Sequence, residues 1–80
     1  MYFTYVLKCL TKNRHYYGSC EDLDKRLAVH NKGKVRSTKG YIPWQVCYFE
    51  QFPTRSQAYL RKQFFKTKIG RDWLKENFIL

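Results

Sequence analysis

Four side chains near the start of the chain carry groups that phosphoryl chemistry uses: the phenols of Tyr5 and Tyr16, the guanidinium of Arg26 and the imidazole of His30. Tyr5 ends the triplet Phe3-Thr4-Tyr5, Tyr16 opens the triplet Tyr16-Tyr17-Gly18, and Arg26-x-x-x-His30 follows. A guanidinium fork matches two phosphate oxygens and keeps its charge at any accessible pH, and a residue four positions on shares its helical face. An imidazole or a phenol placed beside a reacting water can give or take its proton. Each group alone has an ordinary reading. Tyr5 alternates with Phe3 and Leu7 on one strand face like a core tyrosine, Arg26 could be a surface cation, and His30 suits a helix end, where the dipole favours it. Two strands and a helix that bring all four to one place point to a phosphodiester-cutting site.

The elements that would do this are legible in the pattern. Tyr2 to Leu10 is aromatic and β-branched, Thr11-Lys12-Asn13 is turn-like, and Arg14 to Gly18 is aromatic again, which predicts a β-hairpin. Ser19 and Asp22 have capping-box spacing with Asp in place of Glu, and Leu23, Leu27 and His30 then recur on one face until Asn31-Lys32-Gly33, which predicts a first helix. Residues 32 to 43 read as a basic loop, and Trp44 to Phe52 as a third strand starting after Pro43, whose missing N–H suits that place. Pro53 stops the strand, and Thr54 is expected to cap a helix running to about Ile69. Gly70 fits its terminator, and Arg71 to Phe78 a short last helix closing the core with Trp73, Leu74 and Phe78. Tyr17 is assigned to the core.

Eighty residues make one domain, 1–80, able to bury only roughly 60% of its unfolded surface, so the aromatic content of 19% matters: few side chains supply much of the buried area. Sixteen Lys and Arg against six acidic residues give a net charge of +10 spread along the chain, a surface that attracts polyanions and makes nucleic acid the leading partner. Lys32, Lys34, Arg36, Ser37, Thr38 and Lys39 form a phosphate-friendly stretch in the loop. Cys9, Cys20 and Cys47 are odd in number and lack C-x-x-C spacing, which argues against a disulfide framework or a zinc site. No apolar run approaches membrane-spanning length, and Met1 to Leu10 is interrupted by Lys8, unlike a secretory leader; no membrane association and a cytoplasmic location are expected.

Taken as an ordered set, these motifs resemble the GIY-YIG endonuclease superfamily, specifically its small single-domain bacterial members related to the nuclease domain of the excision-repair endonuclease. The resemblance rests on the two triplets, on Asp22-Leu23-x-x-Arg26-Leu27-x-x-His30-Asn31, on Ser37-Thr38-Lys39-Gly40, Pro43-Trp44 and Tyr48-Phe49-Glu50, and on Gly70-Arg71-x-Trp73-Leu74. It implies an α/β (α+β) sandwich around a three-stranded antiparallel sheet, in agreement with the order ββαβαα read above. It also implies metal-dependent DNA cleavage, in a DNA-repair setting, by in-line attack of water with one Mg²⁺ or Mn²⁺. In that scheme Tyr5 and Tyr16 position or deprotonate the water, Arg26 stabilises the transition-state charge, and His30 assists proton transfer or holds a phosphate. Specificity on so small a footprint is expected to come from a homodimer or a partner protein.

The chain departs from the family pattern on its second long helix. Where the family has Ala-x-x-Arg-Glu, with the Glu binding the metal, this chain reads Ala58-Tyr59-Leu60-Arg61-Lys62. A protonated ammonium has no lone pair for a metal, and at ~4 Å and an effective dielectric of ~20 it repels a dication by about 8 kcal/mol. No metal is therefore expected at Lys62. Glu50 on the third strand is a weak substitute candidate, and Arg61 and Lys62 join Lys32, Lys34, Arg36 and Lys39 as expected DNA contacts. The alternative is a catalytically inactive DNA-binding module on the same scaffold.

Overall fold

The computed structural model describes residues 1–80, and its centre is a three-stranded antiparallel sheet of β1 (Tyr2–Cys9), β2 (His15–Cys20) and β3 (Trp44–Phe52) in the order β2-β1-β3. The helices are α1 (Leu23–Asn31), α2 (Arg55–Phe65) and α3 (Lys68–Glu76), with one 3-10 turn at Lys39–Tyr41. This is the expected ββαβαα sandwich. No helix is long and apolar enough to cross a membrane.

Central strand β1 is buried on both faces, and its alternation divides the core in two. Tyr5, Leu7 and Cys9 point to one side, where they meet Trp44 and the half-buried Tyr16, Leu23, Leu27 and Val46. Val6 points to the other, where it meets Phe65 and Leu74 with Tyr17, Tyr48 and Trp73 around them. Thr4 also faces that second layer and donates its hydroxyl to the Ala58 carbonyl at 2.7 Å, tying β1 to a buried small residue of α2. Helix α1 thus covers the Tyr5 face, and α2 with α3 covers the Val6 face.

A bulge keeps β3 useful to both layers. Val6 pairs with Tyr48 and Leu7 with Val46, leaving Cys47 without a partner. The extra residue reverses the alternation. Trp44 and Val46 therefore face α1, whereas Tyr48 and Glu50 face α2 and α3.

Four local features differ from the sequence expectation. Ser19 is not part of the α1 cap: it pairs with Thr4 inside β2, which runs two residues past Gly18, and Asp22 alone caps the helix by accepting from the Lys25 N–H at 3.1 Å. Helix α2 ends at Phe65 rather than near Ile69, because Thr67 turns the chain and caps α3, its hydroxyl oxygen accepting from the Gly70 N–H at 3.0 Å. Gly70 is thus a buried residue in the first turn of α3, not a terminator. Phe78 does not close the core. It is 94% exposed at φ 61°, the reversing residue of a C-terminal cap in which the Ile79 N–H donates to the Leu74 carbonyl and the Phe78 N–H to that of Lys75. Ile79 and Leu80 fold back onto the Leu74 cluster instead.

Gly70 matters for a different reason than chain termination. A Cβ at this position would overlap the Phe64 carbonyl and the Phe65 Cα, so only glycine lets α3 start this close to the end of α2. Gly70→Ala is expected to destabilise the fold by about 1–3 kcal/mol, the range for forced overpacking, measured as a lower midpoint in urea denaturation. An unchanged midpoint would show that the two helices can separate at little energy.

Candidate active site

The α1 face of the sheet builds its polar cluster from the strand period. Tyr5 stands opposite Gly18 in the β1–β2 register, and Tyr16 two pairs along, opposite Leu7, shares that face. A Cβ at position 18 would overlap the Tyr5 hydroxyl and the ring carbon that bears it, so the missing side chain is what allows the phenol to lie across β2. Helix α1 then supplies Arg26 and His30 one turn apart, while Leu23 and Leu27 press the helix onto the sheet. The Tyr5 hydroxyl is 3.0 Å from His30 Nε2 and accepts from Arg26 Nε at 3.4 Å. The Tyr16 ring lies 4.9 Å from the imidazole and 6.4 Å from the Tyr5 ring. All four residues read from the sequence come together here.

They differ in access. Tyr5 is 1% exposed and His30 fully enclosed, whereas Tyr16 and Arg26 are half-buried and reach solvent. Neither ion pair of the chain involves Arg26, so its guanidinium has no carboxylate partner and is free to meet an anion. His30 is placed to act on Tyr5 and has no surface to offer a phosphate.

Burial also sets the charges. His30 is pushed down to about 4, first by desolvation and then by the Arg26 charge, so the imidazole is neutral at pH 7. Tyr5 is pushed up to about 12 by desolvation, which outweighs the opposing hydrogen bond and charge of Arg26. The Tyr5 hydroxyl in turn holds the Arg26 guanidinium above its usual value. Cys20, on the same face, is pushed up to about 11 by burial and stays a thiol. The resting site is a neutral imidazole, a protonated phenol and one fixed positive charge.

Several residues that shape the site carry no chemical signature in the sequence. Thr38, expected among the phosphate contacts, is fully buried, and its hydroxyl lies 2.8 Å from His30 Nδ1. Trp44 donates its indole N–H to the Thr38 carbonyl at 3.0 Å. Asn31 clamps Trp44 in turn, accepting from its backbone N–H at 2.6 Å and donating to its carbonyl at 3.0 Å. On the outer surface Arg14 lies over the Tyr41 ring and donates to its hydroxyl at 2.8 Å, adding a cation near the basic loop that spacing alone did not reveal. Lys32, Lys34, Arg36 and Lys39 are all exposed in or beside that loop.

The remaining expected contacts lie in the other layer. Arg61 is half-buried, bonded to Glu50 through Nε at 2.8 Å and Nη2 at 3.2 Å, and its guanidinium sits within 4.8 Å of the Phe64, Phe65 and Trp73 ring centres. So engaged, it does not offer its fork to a DNA backbone. Glu50, the candidate substitute ligand, is on the face of the sheet opposite Tyr5 and holds Arg61 and the Tyr48 hydroxyl. Lys62 is half-buried on α2, its ammonium 4.2 Å from the Tyr59 ring centre and its pKa lowered by burial and by Lys66.

This donor set does not fit the divalent metal that the family pattern implies. Both His30 nitrogens are engaged, no carboxylate hydrogen-bonds or ion-pairs with Tyr5, Tyr16 or Arg26, and no three His, Cys, Asp or Glu residues converge anywhere. Position 62 offers an ammonium instead of an oxygen.

Burial of a neutral His30 has a measurable sign. An unfolded chain takes up a proton on this imidazole near pH 6.5, whereas the folded chain refuses it until about pH 4. The folded pKa is the lower one, so stability is full above pH 6.5 and falls as pH drops toward 4, by up to about 3 kcal/mol from this group. A ¹⁵N titration of the His30 ring should show it neutral down to about pH 4. A midpoint near 6.5 would mean the imidazole is open to water.

Comparison with known proteins agrees with this architecture. The model of the GIY-YIG catalytic domain matches residues 1–75. The UPF0213 protein YsiG of Lactococcus lactis is 38% identical over 88 residues, covering 98% of this chain and 84% of the relative. A UPF0213 protein of Listeria welshimeri is 42% identical over 71 residues, covering 88% of this chain and 77% of the relative. Among solved structures, the solution NMR structure of a UPF0213 protein from Bacillus halodurans superposes with a TM-score of 0.56 at 24% identity, over 94% of this chain and 82% of that one, a likeness of fold. With the family model spanning nearly the whole chain and the Tyr5, Tyr16, Arg26 and His30 cluster assembled on its sheet, the chain belongs to the GIY-YIG catalytic domain family.

Proposed function

We propose that the chain acts on DNA as an endonuclease-type domain, holding a phosphodiester against Arg26 and the exposed cations of the basic loop. The observation that carries this is the Tyr5–His30–Arg26 cluster, with its 3.0 Å and 3.4 Å contacts and an unpaired guanidinium at the solvent edge. Arg26 meets charge on the phosphoryl oxygens, Tyr16 and Tyr5 orient the attacking water, and neutral His30 takes a proton through Tyr5. The net charge of +10 supplies attraction that does not depend on DNA sequence. Membership of a nuclease family supports the reaction class; the DNA substrate is our inference.

Two titrations test the binding half. With about five phosphate contacts, log K should fall against log salt with a slope near −4 to −5 in an anisotropy assay. Arg26→Ala should keep the fold and weaken DNA binding, and in the Lys62→Glu background it should lower the cleavage gained by about 10² to 10³. Binding without salt dependence would remove nucleic acid from the account.

Lys62 governs whether the chain cuts. As it stands the chain is expected to show no detectable cleavage of nicked, branched or supercoiled DNA with Mg²⁺ or Mn²⁺, because an ammonium stands where the family has its carboxylate ligand. Because α2 covers the Val6 face, Lys62→Glu is expected to gain metal binding and cleavage by reaching the Tyr16 site around the β2 edge of the sheet. A second reading, a DNA-binding module without turnover, is favoured by the same lysine and by the lack of any acidic cluster. It would be established by tight DNA binding in both proteins with cleavage in neither. Robust cleavage by the unmodified chain would contradict the assignment of position 62.

A further inference from the structure

We infer that Thr38 is a positioning residue that fixes the tautomer of His30, holding the ring proton on Nδ1 so that Nε2 is the acceptor for the Tyr5 hydroxyl proton. The inference deepens the proton-transfer role proposed above and rests on that reading for its functional meaning; its geometry stands alone.

The hydrogen-bond partners leave each proton of the cluster one place to sit. Arg26 can only donate, so the Tyr5 oxygen is the acceptor in their 3.4 Å contact. The Tyr5 proton must go elsewhere, and the phenol makes one other hydrogen bond, to His30 Nε2 at 3.0 Å. With Tyr5 1% exposed, leaving that proton unpaired would strand a buried donor. Nε2 is therefore the acceptor and carries no hydrogen. A neutral imidazole keeps one proton, which then sits on Nδ1 and points at the Thr38 hydroxyl oxygen, 2.8 Å away. Thr38 in turn donates to the Val35 carbonyl at 3.4 Å, so the donors run in one direction: Arg26, Tyr5, His30 on one branch and His30, Thr38, Val35 on the other. The opposite tautomer would aim two donors at the Tyr5 oxygen and leave the Tyr5 proton without an acceptor.

Free imidazole side chains favour the proton on Nε2, so this arrangement has to be imposed. Thr38 is held in place to impose it: its side chain is buried, its N–H donates to Val35 at 3.1 Å, and its carbonyl accepts the Trp44 indole, which Asn31 clamps through the backbone. When the Tyr5 hydroxyl gives its proton to Nε2, the imidazolium formed keeps its Nδ1 proton on Thr38, and the phenolate formed stays paired with Arg26. The bond broken is O–H and the bond made is N–H, with no other reactant.

Ring ¹⁵N shifts of His30 in the unmodified chain at neutral pH test this without DNA or metal. Nδ1 protonated and Nε2 bare is the expected result; Nε2 protonated overturns the inference, whatever the chain does to DNA. Thr38→Val, which keeps the shape and removes the hydroxyl, should shift the population toward the Nε2–H form, and Thr38→Ser should retain the original one. If Thr38→Val folds and leaves the tautomer unchanged, Thr38 is not what fixes it. Should the expected tautomer be found in a chain that neither binds nor cuts DNA, the positioning holds and the functional reading fails.

Discussion

A fully buried imidazole is the constraint around which this small protein is arranged. Removing a histidine from water is tolerated only if it stays neutral and both ring nitrogens find partners. His30 finds them in Tyr5 and Thr38, and each partner imposes a further demand. Tyr5 reaches the ring because residue 18 has no side chain, and Thr38 is placed by the indole of Trp44. Trp44 is fixed at the start of β3 by Asn31, one residue beyond His30 on α1. The network thus ties the hairpin, the first helix, the basic loop and the third strand into one unit. A polar cluster of this kind weakens a core when any member is missing and specifies it when all are present.

The sheet separates two different electrostatic designs. On the α1 face the Arg26 cation has no carboxylate, the imidazole is neutral and the phenol is protonated, which leaves an unsatisfied positive charge at the rim. On the α2 face the cation Arg61 is neutralised by Glu50 and covered by aromatic rings, an arrangement that fastens α2 to β3 and holds α3 through Trp73. The bulge at Cys47 sends Glu50 to this second layer, which keeps its carboxylate away from Tyr5. A metal ligand therefore cannot be borrowed from β3 without undoing the Arg61 pair.

Much of this was legible from residue types. The hairpin and the helix that follows it are enough to bring Tyr5, Tyr16, Arg26 and His30 to one place, the four-residue spacing sets Arg26 and His30 on one helical face, and Thr54 and the Trp44–Phe52 strand stand at their expected limits. What was missed depends on tertiary contacts that local rules cannot see. Ser19 resembles a cap until its pairing with Thr4 extends β2, and Gly70 resembles a terminator until the closeness of Phe64 shows why glycine is there. Phe78 reads as core because it is aromatic, yet it occupies a left-handed turn while Ile79 and Leu80 do the packing. Thr38 sits among cations in sequence and beside an imidazole in space, and no periodicity distinguishes these.

The central claim is that the α1 face, with its unpaired Arg26, is where this protein meets a phosphodiester. Mapping ¹H–¹⁵N shifts while a short DNA duplex is added tests it most directly, because the two arginines in question report separately through their side-chain Nε–H groups. Arg26 Nε and the backbone amides of Tyr16, Lys32, Lys34, Arg36 and Lys39 should move together and saturate, with Arg61 Nε unmoved in its pair with Glu50. Shifts centred on Arg61 and α3, with Arg26 silent, would contradict the account.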